Sequence, residues 1–150
     1  MVLIIAEAGV NHNGCIDTAK KLIDVACEAG ANIIKFQTFK SEDLTTEHAP
    51  LAEYQETNSP ELINQQTLLQ KLQLNLEQHK ELKSYAINQN IEFLSTAFTL
   101  ESVDLLSEIG LERWKIPSGE INNLPLLKKV AKQNQPTIIS TGMSTIGEIE

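Results

Sequence analysis

Five short apolar bursts of strand type recur along this chain, and helical patterns fill the intervals between them. The bursts are VLIIAEA (2–8), NIIKFQT (32–38), IEFLST (91–96), RWKIPS (113–118) and TIISTG (137–142). Continuous apolar runs of this length suit strands covered on both faces, as in a parallel sheet. Strict alternation with helices then dictates right-handed βαβ units, an α/β architecture.

The helical intervals carry their own start and stop signals. Residues 17–28 place Ala19, Leu22, Ile23 and Ala26 on one face, with Gly30 just past the end. Ser59-Pro60-Glu61 reads as a cap and first turn of a helix of about a dozen residues ending near Leu72. Asn75 caps the next, with Leu76, Leu82 and Ala86 on its apolar side. Thr99 caps a helix through Ile109, stopped by Gly110, and Asn123 with Pro125 starts one that reaches Lys132. Thr145 with Glu148 forms a capping box. The polar stretch 41–58 is long for a connection between strand and helix, and such loops are often functional.

Composition narrows the function. Hydrophobic residues make up 41% of the 150, enough to build a core and exclude a disordered chain. Twelve Lys and Arg against 20 Asp and Glu give a net charge of −8, which supplies no electrostatic footprint for nucleic acid. No apolar run approaches the roughly 20 residues of a membrane helix. The first residues lack a basic n-region and a cleavage-like site, so no secretory signal and a cytoplasmic location are expected. Cys15 and Cys27 stand about 18 Å apart along one helix, too far to bridge, and read as reduced thiols.

The polar chemistry gathers at the carboxyl ends of the strands, where parallel α/β sheets and barrels bind ligands. Strand one is followed by Glu7 and by Asn11-His12-Asn13-Gly14. Strand two ends in Lys35, Gln37, Thr38 and Lys40, and strand three in Ser95 and Thr96. Strand four supplies Lys115, Ser118 and Glu120, and strand five Ser140, Thr141 and Ser144. Lys35 and Lys115 interrupt apolar strands, so each needs an anionic partner or a wet cavity. Either they pair internally, with Glu7 or Glu120, or they join the hydroxyls in a phosphate and carboxylate site. Glu7 and Glu120 suit sugar hydroxyls, a metal-bound water or a proton shuttle, or else balance the lysines. His12 reads as a loop histidine bonded to backbone, His48 and His79 as solvated loop and helix residues, and Trp114 and Met143 as packing residues.

The segments IIAEAGVNHNG, IIKFQTFK, EFLSTAF, WKIPSGEINNLPLLKK and IISTGMSTIGEIE together resemble the N-terminal barrel of the N-acetylneuraminate (sialic acid) synthases. Legionaminate and pseudaminate synthases share these motifs, and the piece at 49–74 looks like the bacterial branch. The resemblance covers essentially the whole chain. It implies a (β/α)₈ TIM barrel, of which residues 1–150 supply about five βα units. The remaining barrel strands and a small antifreeze-like domain are expected beyond Glu150. The implied reaction condenses phosphoenolpyruvate with an open-chain N-acetylhexosamine such as N-acetylmannosamine, giving a nine-carbon 2-keto sugar acid and phosphate. A divalent metal, Mn²⁺ or Mg²⁺, and a homodimer are implied for the complete enzyme. The metal-binding histidines belong to later strands, so no metal ligand is expected in this chain.

Carried over by motif, Lys35, Thr96, Lys115, Ser118 and Ser140 would hold the phosphate and carboxylate of phosphoenolpyruvate. Glu120 would face the sugar, Glu7 the reacting carbons, and Gln37 would shape the site. Asn11 and His12 belong to the first motif, and Lys40 stands close to the anion-binding set. Ala97 replaces a proline usual in the family, which loosens a loop without removing a functional group. Pro117 stands where many members have a small residue. The fragment alone is expected to be inactive. A different reading is a non-catalytic βα fragment that binds phosphate-bearing ligands or self-associates through open sheet edges. A Schiff-base aldolase using Lys115 is a third, and borohydride trapping with pyruvate would reveal it.

Overall fold

The computed structural model describes residues 2–46, 49–50, 64–142 and 144–150. Five strands, β1 (Ile5–Gly9), β2 (Ile33–Thr38), β3 (Glu92–Ala97), β4 (Trp114–Ile116) and β5 (Thr137–Ile139), form one sheet in the order β1-β2-β3-β4-β5. Every pairing is parallel. Helices connect them: α1 (Ile16–Glu28), α2 (Ser41–Leu44), α3 (Gln65–Leu72), α4 (Leu76–Asn88), α5 (Leu100–Ile109), α6 (Leu124–Ala131) and α7 (Ile146–Ile149). Consecutive strand order with right-handed crossovers sets the connecting helices on one face of the sheet and leaves the other for a lumen.

The core lies between the sheet and its helices. Phe36 of β2 stacks on Phe93 of β3 at 5.6 Å, and Trp114 and Ile116 of β4 continue the layer. Ala19 and Ile23 of α1, Leu82 and Ala86 of α4, Val103 and Leu106 of α5, and Leu126 and Val130 of α6 are buried with them. Neighbouring helices are also tied by polar bonds. Lys20 reaches Glu81, Tyr85 donates to Asp24, Lys80 reaches Glu108, and Lys129 reaches Asp104. These exposed contacts orient the helices more than they stabilise them. At the amino ends of β3 and β4, Arg113 grips the Glu92 carboxylate through two bonds of 2.6 and 2.9 Å.

The caps stand where the sequence placed them. Asn75 and Gln78 close a reciprocal box at α4, Thr99 accepts from the Ser102 amide, Asn123 accepts from the Leu126 amide, and Thr145 pairs with Glu148. Trp114 is a packing residue whose indole donates to Gln135. Cys15 and Cys27 are unbridged. No helix among the described residues is long and apolar enough to cross a membrane.

Four features differ from expectation. First, β1 starts at Ile5, because its ladder with β2 begins where Ile5 meets Ile33; Val2, Leu3 and Ile4 precede it and are exposed. Second, the polar stretch after β2 opens with α2, whose Ser41 amide donates to Gln73. Third, α3 has eight residues and is capped by Asn64. The expected cap at Ser59-Pro60-Glu61, with His48 and Met143, lies outside the described residues. Fourth, His79 is not solvated: it is fully buried, edge-on to Phe93 at 6.4 Å.

Gly14, between β1 and α1, has φ of +75°, and a Cβ there would collide with the Lys71 carbonyl oxygen of α3. Gly14→Ala therefore meets both a backbone penalty and a rigid obstacle. Urea unfolding should report a loss of about 2–4 kcal/mol; a loss below about 0.5 kcal/mol would contradict this packing.

His12 is also fully buried. Burial holds both His12 and His79 below the ordinary histidine value; nearby His79 adds to the effect on His12, and the Asn75 carbonyl opposes it on His79. The unfolded chain therefore binds more protons than the folded one at mildly acid pH, since free histidine titrates near 6.5. The histidine contribution is complete above about pH 6.5 and is lost as pH falls below it. The urea midpoint should drop between pH 7.5 and 5.5, and drop less in His79→Gln. Equal pH slopes in the two proteins would contradict a buried neutral His79.

Candidate functional site

Strand register decides which of the candidate residues meet. Glu7 pairs with Lys35, Gln37 with Thr96, Thr96 with Lys115, and Lys115 with Ile138. Registered residues in a parallel sheet share a face, and side chains alternate with period two. Glu7, Lys35, Gln37, Thr96 and Lys115 therefore form one stripe across four strands, facing away from the Phe36–Phe93 core. Ser140, two residues past Ile138, extends it across a fifth.

Contacts confirm the stripe. The Lys35 ammonium ion-pairs with the Glu7 carboxylate and donates to Thr96 Oγ1 at 3.3 Å. Lys115 Nζ donates to Ser140 Oγ at 2.5 Å and to the Ile116 carbonyl at 2.6 Å. An ammonium has three donors, so one N–H of Lys115 is left without a partner among the described residues. Gly9 lets the ends of β1 and β2 close: its φ is +53°, and a Cβ there would stand 3.2 Å from Glu7 Oε1 and 3.7 Å from Gln37 Nε2.

Lys35 takes the internal partner considered from the sequence, and Lys115 does not. Glu120 lies on a 3₁₀ turn, Ser118–Glu120, that follows Pro117, and its Oε2 accepts from Asn123 Nδ2 at 2.7 Å. It makes no ion pair with Lys115. Burial first, and the neighbouring Lys35 charge second, hold Lys115 below the ordinary lysine value, with Glu7 opposing. Two ammonium groups thus share one carboxylate, and the stripe carries an uncompensated positive charge beside two hydroxyls.

Glu120 lines an open cavity of about 530 Å³ with Asp43, Phe98, Thr99 and Asn123. Asp43 and Asn123 were not singled out as site residues from sequence. Asn123 read as a helix cap, and it fills both roles, since its Oδ1 takes the Leu126 amide while its Nδ2 holds Glu120.

Other candidates lie elsewhere. Lys40 is exposed and lines a smaller cavity of about 250 Å³ with Thr38, Leu74 and Ser102. Asn11 is exposed in the turn after β1. His12 is buried behind the sheet, 6.0 Å from Phe36, and accepts the Gly14 amide on Nδ1 at 3.0 Å. Its backbone bond matches the loop reading, but its placement does not join it to the stripe. Thr38 and Ser95, grouped with the strand-end polar set by sequence, point to the helix side, as the alternation requires. Among the described residues no three His, Cys, Asp or Glu side chains come together as metal ligands.

A family model described as the NeuB family matches residues 22–150. The N,N'-diacetyllegionaminic acid synthase of Campylobacter jejuni is 55% identical over 148 residues, covering 99% of this chain and 44% of that protein. The Legionella pneumophila enzyme of the same name is 48% identical over 146 residues, covering 97% and 41%. Among solved structures, the N-acetylneuraminic acid synthetase of Leptospira borgpetersenii superposes with a TM-score of 0.84 at 34% identity, covering 99% of this chain and 47% of that one. The chain spans less than half the length of these relatives. The sheet is of TIM-barrel type.

Lys115→Met removes the poorly compensated charge. It should raise the unfolding free energy of the ligand-free protein by about 1 kcal/mol, as relieving a buried charge does. A destabilised variant in urea unfolding would mean that Lys115 is fully satisfied where it stands.

Proposed function

This chain belongs to the NeuB family, and on that premise we propose that it carries the phosphoenolpyruvate-seating part of a sugar-acid synthase. The complete protein condenses phosphoenolpyruvate and water with an open-chain acetamido hexose, releasing phosphate and a nine-carbon 2-keto acid. The observation that carries this reading is the surplus ammonium charge on the lumen stripe. Lys115 and Lys35, with Thr96 and Ser140 between and beside them, present donors where a doubly anionic enol ester needs them. Ser118, on the turn after β4, extends the donor set.

These residues act by charge and position. The ammonium groups neutralise phosphate and carboxylate, so C3 of the enol approaches the aldehyde carbon with its electron pair available. The C3–C1 bond forms, the aldehyde oxygen takes a proton, and positive character develops at C2. Water adds at C2 and loses one proton, matching the one taken by the aldehyde oxygen; the C2–O bond to phosphate then breaks as the remaining hydroxyl proton passes to the departing phosphate, leaving the ketone. Glu7, held by Lys35, sits beside the reacting carbons, and Glu120, held by Asn123, faces the acceptor sugar. The divalent metal implied by the family resemblance is proposed to be held by residues outside those described, and no step on this chain's residues depends on it.

The acceptor we favour is a 2,4-diacetamido hexose rather than N-acetylmannosamine. The two diacetyllegionaminic acid synthases at 55% and 48% identity support it.

Calorimetric titration should show phosphoenolpyruvate binding to this chain, weakened at least about tenfold by Lys35→Met or Lys115→Met. A colorimetric assay for 2-keto sugar acid, with acceptor and Mn²⁺, should show no turnover by these 150 residues. Binding indifferent to both lysines, or robust turnover, would contradict the assignment.

A further inference from the structure

A second polar system runs behind the anion stripe, on the helix side of β2 and β3. His79 Nδ1 lies 2.8 Å from the Asn75 carbonyl oxygen, its Nε2 lies 2.8 Å from Thr38 Oγ1, and Thr38 Oγ1 lies 2.7 Å from Ser95 Oγ. His79, Thr38 and Ser95 are all buried, at 0%, 2% and 0% exposure. The proton positions follow from what each atom can do. A carbonyl oxygen only accepts, so Nδ1 carries the proton. A neutral ring then offers Nε2 as an acceptor, so Thr38 donates to it. Thr38 has spent its only proton, so Ser95 donates to Thr38. The chain has one direction: Ser95 to Thr38 to His79 to Asn75.

This chain crosses the sheet at the site. Thr38 follows Gln37, Ser95 precedes Thr96, and Gln37 and Thr96 are register partners facing the lumen. The Ser95–Thr38 bond therefore pins that pair from behind. Thr96 in turn receives the Lys35 ammonium. His79 itself is anchored by α4, where Asn75 is the cap and its carbonyl also takes the His79 amide at 3.0 Å.

We propose that His79 is a positioning residue for the anion site: its bond to Thr38 locks the carboxyl ends of β2 and β3 in register and so fixes Gln37, Thr96 and Lys35. The binding consequence rests on the function proposed above, whereas the lock itself is tested without ligand. His12 supplies an internal control. Its Nδ1 accepts the Gly14 amide, so its proton sits on Nε2, the opposite tautomer.

Two measurements on this chain test the lock. Long-range ¹H–¹⁵N spectra at pH 7.5 should show His79 with its proton on Nδ1 and His12 with its proton on Nε2. His79→Leu and Thr38→Val should shift the backbone amides of Gln37 and Thr96, while His79→Gln, whose carbonyl oxygen can accept from Thr38, should restore them. Phosphoenolpyruvate affinity should follow, falling about tenfold in His79→Leu and Thr38→Val and recovering in His79→Gln. If His79→Leu does not fold, Thr38→Val decides. A His79 proton on Nε2, unmoved Gln37 and Thr96 amides in Thr38→Val, or no recovery in His79→Gln would overturn the lock. If the unaltered chain binds no phosphoenolpyruvate, the functional reading fails, and the amide shifts still decide the lock.

Discussion

Two lysines on nonadjacent strands, facing the same way across one intervening strand, set the terms for this molecule. Like charges in a partly buried face repel, and each ammonium leaves water at a cost. The fold answers half of that cost. Glu7 on β1 neutralises Lys35, and the Thr96 hydroxyl on β3 accepts from it. Among the described residues Lys115 receives a hydroxyl and a carbonyl and no carboxylate. The proposed function gives that imbalance a purpose: a ligand that arrives with negative charge would complete it. The anionic enol ester proposed above, on the premise of NeuB-family membership, fits that deficit.

The imbalance requires a rigid frame, because a misplaced ammonium is as useless as an absent one. Rigidity comes from the consecutive parallel register, from the Phe36–Phe93 stack behind it, and from helices packed on the same side. The buried bonds among Ser95, Thr38 and His79 add direction to that frame. Apolar packing alone tolerates small slips along a strand; a hydrogen bond between hydroxyls 2.7 Å apart does not. The two faces of β2 and β3 thus divide the labour between chemistry and registration.

Much of this was legible in the sequence, for physical reasons. All five strands announce themselves as apolar runs, and Asn75, Thr99, Asn123 and Thr145 cap the helices they were expected to cap, because capping is local chemistry. The stripe was legible as a set but not as a face. Treating Gln37 with Thr38, and Ser95 with Thr96, as single clusters ignored the alternation that sends them to opposite sides. His79 was misplaced because its polarity outweighed its position. It stands three residues before Leu82 and seven before Ala86, on the buried face, and only its partners Thr38 and Asn75 make that burial tolerable. For Glu120 the sequence leaves two alternatives, pairing with a lysine or facing a substrate. β4 ends at Ile116, and the turn after Pro117 brings Glu120 against Asn123, a local contact three residues apart that reading Asn123 only as a helix cap leaves out.

The Lys115 donor that has no partner among the described residues is proposed, with Ser140, Thr96 and Lys35, to seat an anion. A crystal structure of this chain grown with phosphoenolpyruvate tests it most directly. The account predicts the ligand on the lumen face, with Lys115 Nζ and Lys35 Nζ both in contact with its phosphate or carboxylate oxygens and Ser140 within hydrogen-bonding reach. Ligand bound elsewhere, or a lumen stripe left empty at saturating phosphoenolpyruvate while Lys115 closes on a carboxylate of the protein itself, would contradict it.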